Sequence, residues 1–501
     1  MSSSSSFSYT SYDAIGLAEL VRAREISPVE LLEAAYARLE EVNPQLNAVI
    51  RTYETRARQE AVIVRPGEQP FAGVPLLLKD ISQSLEGEIL TSGSRLLSEH
   101  RAQRNSNFVA RLRDAGFIII GHTNTPEFGL KNITEPRLHG PSRNPWNTNH
   151  SPGGSSGGAA AAVASGIVPL AGASDGGGSI RIPASFSGLF GLKPTRGRTP
   201  VGPGVGRQWQ GASIDFALSR SVRDSAALLD TLQVIQPEAA FHAPLFPSSY
   251  LTDMHYPHQR KLKVAYTTAS PVGSPVSDEA KEAVYKMVRW LEEQGHEVEE
   301  KLSPVNGVKL MENYYMMNSG EMAAMISSME RSMGRVLTSD DMEIESWVLA
   351  EAGKKVSAAE FVHSLAEWDV AAAQMSTLFE RYDFYVTPVN AFPAPKIGEL
   401  TPHDEQIQHL MHISDLDKIQ QQQLIYEMFE PSLTYTPFTQ LANLTGQPAM
   451  SVPVHLTPEG LPMGVQIMAT KGREDWLLHL AGQLEASDLW VGMKGNPLFP
   501  A

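Results

Sequence analysis

The chain of 501 residues is long enough for one large domain or several smaller ones, and its 42% hydrophobic and 19% charged residues are typical of a folded globular protein. A formal net charge of −15 disfavours nucleic-acid binding, and the absence of cysteine excludes disulfides, thiolate nucleophiles and Cys-ligated metals. The N-terminal MSSSSSF lacks a signal-peptide pattern and no apolar run reaches ~18 residues, so we expect a cytoplasmic protein without membrane contact.

Helices and strands alternate along most of the chain. A capping box at Ser27 and Glu30 predicts a helix over 28–42, which Asn43-Pro44 is expected to end. The further predicted elements are a buried strand over 71–80, a helix over 108–115, a strand over 117–121, a polar loop over 122–129, a helix over 222–232, a strand over 261–266, a helix over 278–294, strands over 384–388, 449–454 and 464–468, and a helix over 474–484. Alternation with short connections indicates the α/β class.

We therefore expect one domain over 1–501. Within it we distinguish an N-terminal helical region over 1–70, a core over 71–235 and a methionine-rich, mostly helical region over 300–400 that resembles a cap. Methionine is flexible and fills irregular gaps, so this last region is predicted to form either ordinary core or a pliable pocket wall.

The stretch 151–198 is dominated by glycine, serine and alanine and contains two candidate catalytic serines, Ser155 and Ser179. Residues 153–157 satisfy the G-x-S-x-G pattern of a nucleophile elbow. That motif needs a hydrophobic strand directly before it, whereas polar residues precede it here, so we reject the elbow. The histidine cluster of His403, His409 and His412 is predicted to lie on a solvated polar helix rather than to bind a metal.

Acyl transfer is the chemistry that this stretch suits best. It needs a nucleophile, a base and donors for an oxyanion. Ser179 follows Gly176, Gly177 and Gly178, whose amides can converge on one point. No histidine lies within the stretch, but Lys79 follows three leucines, and burial favours the neutral amine that could act as the base.

The motifs GVPLLLKD, GGSSGG and SDGGGSIRIPASFSGLFGLKPTRGR resemble those of the amidase signature family, and TGQPAMSVPV and GLPMGVQIM extend the resemblance over nearly the whole chain. The resemblance implies a large mixed, twisted β-sheet covered by helices on both faces. It also implies a Ser-cisSer-Lys triad formed by Lys79, Ser155 and Ser179, with a cis peptide bond before Ser155.

In such a triad Ser179 is the nucleophile, Ser155 relays the proton and Lys79 is the base. The backbone amides of Gly176, Gly177, Gly178 and Ser179 would hold the oxyanion. By the same resemblance Ser156 and Arg181 support the site through hydrogen bonds, and Asp175 is placed to fix the glycine turn. For Arg181 a structural ion pair and a direct substrate contact are both open.

Within the family, the chain most resembles the 6-aminohexanoate cyclic-dimer hydrolase group, which implies linear or cyclic aliphatic amides. For the chain as a whole we expect a hydrolase of linear or cyclic aliphatic or aryl amides. We expect no cofactor and no metal; the expected partners are a small-molecule amide, water and a second copy of the chain in a homodimer. The candidate substrate-binding residues are Asn124, Glu127, Phe128, Trp209, Tyr314, Tyr315 and Asn318. Glu127 could equally cap a helix.

Two alternatives share the signature motifs. One is a glutamine-dependent amidotransferase subunit, which works with protein partners and tRNA; the acidic balance of the chain weighs against it. The other is a catalytically silent binding protein of the same fold, against which the intact Lys79, Ser155 and Ser179 argue.

Overall fold

The computed structural model describes residues 7–64, 67, 69–256 and 260–500; the N-terminal serine run over 2–6 lies outside them. The strands are β1 Val49–Thr52, β2 Pro75–Lys79, β3 Ile118–Thr123, β4 Leu170–Asp175, β5 Phe190–Lys193, β6 Ile214–Ser219, β7 Lys263–Tyr266, β8 Glu297–Glu300, β9 Phe384–Pro388, β10 Ala449–Leu456 and β11 Pro462–Ala469.

Helices connect and cover these strands. They are α1 Ala14–Ala23, α2 Pro28–Leu46, α3 Glu54–Ile63, α4 Asn107–Asp114, α5 Gly157–Ala164, α6 Arg181–Ser187, α7 Val222–Leu232, α8 Tyr250–Asp253, α9 Asp278–Glu293, α10 Gly307–Met333, α11 Ile344–Gly353, α12 Ala358–Phe379, α13 Asp404–Met411, α14 Lys418–Tyr435, α15 Gln440–Thr445 and α16 Glu474–Glu485. In the described part of the chain, no helix is long and apolar enough to cross a bilayer.

The strands form one eleven-stranded sheet in the order β1-β3-β2-β4-β6-β5-β10-β11-β9-β7-β8. Strand β2 runs parallel to β3 and β4, whereas β10 and β11 pair antiparallel with each other and join β5 to β9. Every residue of β2, β3, β4 and β6 is buried. Because successive side chains point to opposite faces, both faces of the central sheet are covered. The predicted mixed α/β sheet is confirmed.

The end of helix α2 differs from the prediction. Helix α2 has the predicted capping box but continues through Pro44 to Leu46. A proline in the last turn removes only one helical hydrogen bond, and the helix ends where Asn43 Oδ1 accepts the amides of Ala48 (2.9 Å) and Val49 (2.8 Å). The expected stop at Asn43-Pro44 was therefore wrong.

The methionine-rich region supplies both core and cavity wall. Met317, Met322 and Met375 are fully buried, whereas Met325 and Met329 line a large cavity. The two uses that the sequence left open therefore occur side by side.

Helix α5 lies within the glycine-rich stretch and packs against the central strands of the sheet. Its sequence GGAAAAVA is buried at every position, and a Cβ on Gly158 would lie 2.4 Å from the backbone nitrogen of Asn124. Only small side chains let this helix approach the strands so closely. The helix begins directly after Ser155 and Ser156, so its packing fixes where these two serines lie.

Candidate active site

The side chain of Lys79 lies at the buried end of β2. Its residue is fully inaccessible to solvent, and Nζ donates to Ser155 Oγ at 2.8 Å and to Ser174 Oγ at 3.0 Å. Both partners are neutral hydroxyls, and no carboxylate pairs with the amine among the described residues. The position of Lys79 at a buried strand end agrees with the expectation from its leucine-rich approach.

Burial lowers the pKa of Lys79 from 10.5 to about 7, against the opposing charges of Asp215 and Asp175. Removing an amine from water penalises its charged form. Near neutral pH a large fraction of this lysine is therefore unprotonated and can accept a proton.

Gln83 holds the backbone of Lys79 in place. Its Oε1 accepts the Lys79 amide at 2.9 Å, while its Nε2 donates to Ala173 O at 3.0 Å and to Asp215 Oδ1 at 3.2 Å. Burial raises the pKa of Asp215, which also accepts from Ser82 Oγ at 2.6 Å. Neutral donors thus hold the Asp215 carboxylate. It makes no hydrogen bond with the Lys79 amine in the described chain.

The two serines before α5 have different contacts. The Gly154–Ser155 peptide bond is cis, as the resemblance implied, and Ser155 O accepts from Thr125 Oγ1 at 2.9 Å. Ser156 Oγ donates to Ser174 O at 3.2 Å and accepts from Ser174 N at 3.3 Å. Ser156 therefore fixes the end of β4, next to the Lys79 amine.

Asp175 organises the glycine turn that follows β4. Its carboxylate accepts the amides of Gly178 at 2.7 Å and Ile180 at 3.2 Å. The Gly178 amide is therefore already bonded inside the protein, and its predicted place among the oxyanion donors is wrong. The amides of Gly176, Gly177 and Ser179 have no acceptor within the described chain.

Arg181 forms a buried ion pair with Asp175. The guanidinium donates to both carboxylate oxygens, with Nη2–Oδ1 at 2.9 Å and Nε–Oδ2 at 3.0 Å, and both side chains are fully buried. Burial by itself would raise the pKa of Asp175, but the charge and hydrogen bonds of Arg181 outweigh it and hold that pKa well below its ordinary value. Two roles were left open for Arg181, a structural ion pair and a direct substrate contact. The structure shows the ion pair with Asp175.

The remaining Arg181 donors tie the turn to the C-terminal part of the chain. They reach Thr439 O at 2.8 Å, Gln466 Oε1 at 2.5 Å and Asn443 Oδ1 at 2.6 Å. With its donors engaged in this way, Arg181 stabilises the glycine turn by joining it to the C-terminal part of the chain.

Ser179 and the amine open onto one cavity of about 460 Å³. Lys79, Ser155, Ser174 and Ser179 all line it, and Ser179 is partly exposed. Ser155 and Ser179 make no hydrogen bond with each other in the part of the chain that the structure describes. The cavity walls combine apolar and polar side chains and include the predicted residues Phe128, Trp209, Tyr314, Tyr315 and Asn318.

Two predicted pocket residues lie elsewhere. Asn124 is fully buried, and its Nδ2 donates to Gly140 O at 2.9 Å and Ser142 Oγ at 3.1 Å, so it braces the loop instead of lining the cavity. Glu127 accepts the amide of Glu343 at 2.7 Å and the hydroxyl of Ser346 at 2.6 Å. It caps the start of α11, the second of its two predicted roles.

The charged groups around the cavity have one sign. Among the described residues that line it, the basic side chains are Lys79, Arg104 and Lys131, and no carboxylate is present. Lys131 is neutralised by Glu345, with Nζ–Oε1 at 2.7 Å. Arg104 is exposed and makes no ion pair within the described chain. The cavity therefore disfavours a cationic ligand.

Sequence reasoning missed Ser174 and Gln83. Ser174 lies within the glycine-rich motif, directly before Asp175, so its signal was present but not distinguished from that of neighbouring serines. Gln83 gives no such signal, because its role depends on the pairing of β2 with β4 and on Asp215, which lies far along the chain.

Comparisons with known proteins show which family the chain resembles over most of its length. A family model described as Amidase matches residues 30–478. The lipoamidase of Enterococcus faecalis is 41% identical over 477 residues, covering 95% of this chain; the chain spans 63% of that relative's length. The 6-aminohexanoate-cyclic-dimer hydrolase of Paenarthrobacter ureafaciens is 38% identical over 496 residues, covering 98% of this chain and 97% of the relative. A solved structure of 6-aminohexanoate cyclic dimer hydrolase complexed with substrate has a TM-score of 0.89 at 36% identity, covering 98% and 100% of the two chains.

The ion pair behind the turn predicts a large loss of stability on substitution. Asp175→Asn is expected to lower the free energy of unfolding by about 3–5 kcal/mol, because Arg181 would stay buried without a carboxylate. Guanidinium denaturation followed by circular dichroism measures the change.

A matched control is Glu54→Gln, which breaks the exposed Arg58–Glu54 pair at 2.8 Å. Its expected cost is below about 1 kcal/mol, because solvent screens exposed pairs. Equal, small effects of both substitutions would contradict a structural role of the buried pair.

Proposed function

The chain belongs to the amidase family, and on this premise we propose that it hydrolyses uncharged aliphatic or aryl amides, linear or cyclic, through an acyl-enzyme formed on Ser179. The observation that carries the proposal is the buried Lys79 amine, 2.8 Å from Ser155 Oγ, at the edge of a cavity that Ser179 and free backbone amides also line.

In the proposed reaction, neutral Lys79 accepts the proton of Ser155 as Ser155 accepts that of Ser179. The relay requires the Ser179 hydroxyl to turn toward Ser155, on the same cavity wall. Ser179 Oγ then attacks the amide carbonyl carbon, and the oxyanion that forms is held by the free amides of the turn, which are those of Gly176, Gly177 and Ser179.

Collapse of the tetrahedral intermediate breaks the C–N bond. The proton held by Lys79 returns through Ser155 to the leaving nitrogen, which departs as the amine. Water then attacks the acyl-enzyme carbonyl, gives its proton to the same relay, and releases the carboxylic acid with the Ser179 hydroxyl restored.

The shape and charge of the cavity support the substrate class. Walls formed by residues such as Phe128, Tyr315 and Met325 suit an extended apolar acyl chain. Two relatives are named for such amides, the lipoamidase and the 6-aminohexanoate-cyclic-dimer hydrolase. The homodimer and the cytoplasmic location rest on the sequence alone and stay predictions.

Loss of the nucleophile tests the proposed function. Ser179→Ala is expected to lower amine release from a neutral N-alkyl amide by at least about 10⁴-fold, and to prevent covalent labelling by a fluorophosphonate, with an unchanged melting temperature. Mass spectrometry reads both the released amine and the labelled peptide.

Ser328→Ala is the control, because Ser328 is exposed on α10 and does not line the cavity; this variant should keep both activity and labelling. Continued labelling of the Ser179→Ala protein at Ser155 would mean that the nucleophile is misassigned. Absence of hydrolysis of any aliphatic, aryl or cyclic amide by the native protein would defeat the proposed function itself.

The lowered pKa of Lys79 predicts a pH dependence. The proposed base acts in its neutral form, so kcat/KM for an amide without ionisable groups should fall about tenfold per pH unit below the Lys79 pKa and level off above it. With that pKa at about 7, the rise should lie on the acidic side of neutrality. A midpoint near the value of a free lysine, or a flat profile, would contradict a neutral Lys79 base.

Because the charged side chains that line the cavity are basic, we expect the enzyme to discriminate between cationic and neutral amides of equal length. An amide whose distal end carries an ammonium should have kcat/KM about tenfold or more below that of its hydroxyl analogue, because Arg104 lines the cavity without an ion-pair partner in the described chain. Arg104→Gln should reduce the difference in kcat/KM between the two amides. Equal kcat/KM for the two amides in the native enzyme would contradict this selection.

A further inference from the structure

The carbonyl groups of the glycine turn are all held from the side away from the free amides. Four consecutive peptide carbonyls each accept one hydrogen bond, and the partners are Asn443 Nδ2 to Asp175 O at 2.9 Å, Tyr314 Oη to Gly176 O at 3.2 Å, Thr439 Oγ1 to Gly177 O at 2.6 Å, and Ile182 N to Gly178 O at 2.7 Å. No peptide plane of the turn is left free to rotate.

Because a trans peptide is planar, its N–H points opposite to its carbonyl. Holding Gly176 O therefore sets the direction of the Gly177 N–H, one of the amides without an acceptor in the described chain. Holding Gly177 O sets the direction of the Gly178 N–H, which is already bonded to Asp175. Of the two hydroxyl anchors, only Tyr314 orients an amide that is available to substrate.

Tyr314 is also the side-chain anchor that substrate can reach. It lines the cavity, whereas Thr439 and Asn443 are buried and do not. Its contact with the turn is close, since a Cβ on Gly177 would lie 2.7 Å from Tyr314 Oη. A glycine is therefore required at this position for the hydroxyl to reach the turn.

The tyrosine has its own support. Asn318 lies one turn further along α10, on the same face of the helix, and accepts Trp209 Nε1 at 2.7 Å. Burial raises the pKa of Tyr314 to about 12, with hydrogen bonds to Asn318 and Trp209 opposing the rise. The hydroxyl thus remains protonated and able to donate throughout the pH range in which the enzyme would act.

We propose that Tyr314 is a positioning residue that orients the Gly177 amide toward the oxyanion and connects that amide to the wall on which the acyl chain packs. The inference rests on the proposed amidase function. Tyr314 acts through the turn: it exchanges no proton with the substrate, and its effect belongs to the transition state, where negative charge develops on the carbonyl oxygen.

The test is Tyr314→Phe, which removes one oxygen and keeps the ring on the cavity wall. We expect kcat for a neutral amide to fall about tenfold, less than the loss of a whole oxyanion donor, while KM stays within about twofold. Affinity for an aldehyde analogue, which forms an oxyanion on Ser179, should fall by the same factor as kcat. Affinity for the carboxylic acid product should not.

Thr439→Val is the matched control, because it removes the same kind of hydroxyl-to-carbonyl bond from the next peptide of the turn. Its kcat should fall clearly less than that of Tyr314→Phe, since the amide it orients is bonded to Asp175. Equal losses of kcat in both variants would mean that each hydroxyl merely stabilises the turn and that neither orients a particular amide, which would overturn the proposal. A Tyr314→Phe enzyme with unchanged kcat would overturn it as well.

Melting temperatures of both variants separate misfolding from misalignment. If Tyr314→Phe does not fold, Asn318→Ala removes the neighbouring support and should give the same selective loss of kcat and of aldehyde affinity; a change confined to KM would overturn the proposal. Failure of the underlying function would appear differently, as a native enzyme that hydrolyses no amide and binds no aldehyde.

Discussion

The rest of the site depends on holding one amine away from water. Charge on Lys79 is opposed by its burial, and only partners that do not restore that charge are compatible with a neutral base. The structure meets this condition by giving Nζ two hydroxyls. The two nearby carboxylates are occupied elsewhere, Asp175 by Arg181 and Asp215 by serine and glutamine donors.

The glycine turn is held in place by groups from outside the turn. A turn without side chains has no means of holding its own peptide planes, so its carbonyls are bound by groups from α6, α10 and the segment 439–443. Glycine allows the close approach of these groups, and the approach in turn removes the freedom that glycine would otherwise have. The directions of the turn's amides are therefore set by contacts with distant parts of the chain.

Local signals in the sequence allowed much of the fold and of the site to be predicted. Capping residues such as Ser27 marked helix starts, apolar runs marked the buried strands, and the resemblance placed Lys79, Ser155 and Ser179 in one site; the structure brings their side chains to one cavity, while their catalytic roles remain proposals. Strand β8, with the sequence EVEE and largely exposed, gave no apolar pattern to detect.

What could not be predicted depends on partners far away in sequence. Asn124 and Glu127 follow a strand at the edge where ligands often bind, yet their polar atoms are used by the 140–142 loop and by α11. The Gly178 amide appeared available because its acceptor, Asp175, can reach it only in the folded turn. A polar residue has the same sequence signal whether it faces a ligand or another part of its own chain.

The position of β10 and β11 in the middle of the sheet has a consequence for the order of events during synthesis. Arg181 and Gln466, which bond to each other, are separated by 285 residues. At translation rates of about 5–20 residues per second, that interval corresponds to roughly 15–60 s. Throughout it, the growing polypeptide already contains both serines and an arginine without its final neighbours. The hydrogen bond that ties the glycine turn to β11 through Arg181 can therefore form only after β11 has been synthesised, well after both serines have been added to the chain.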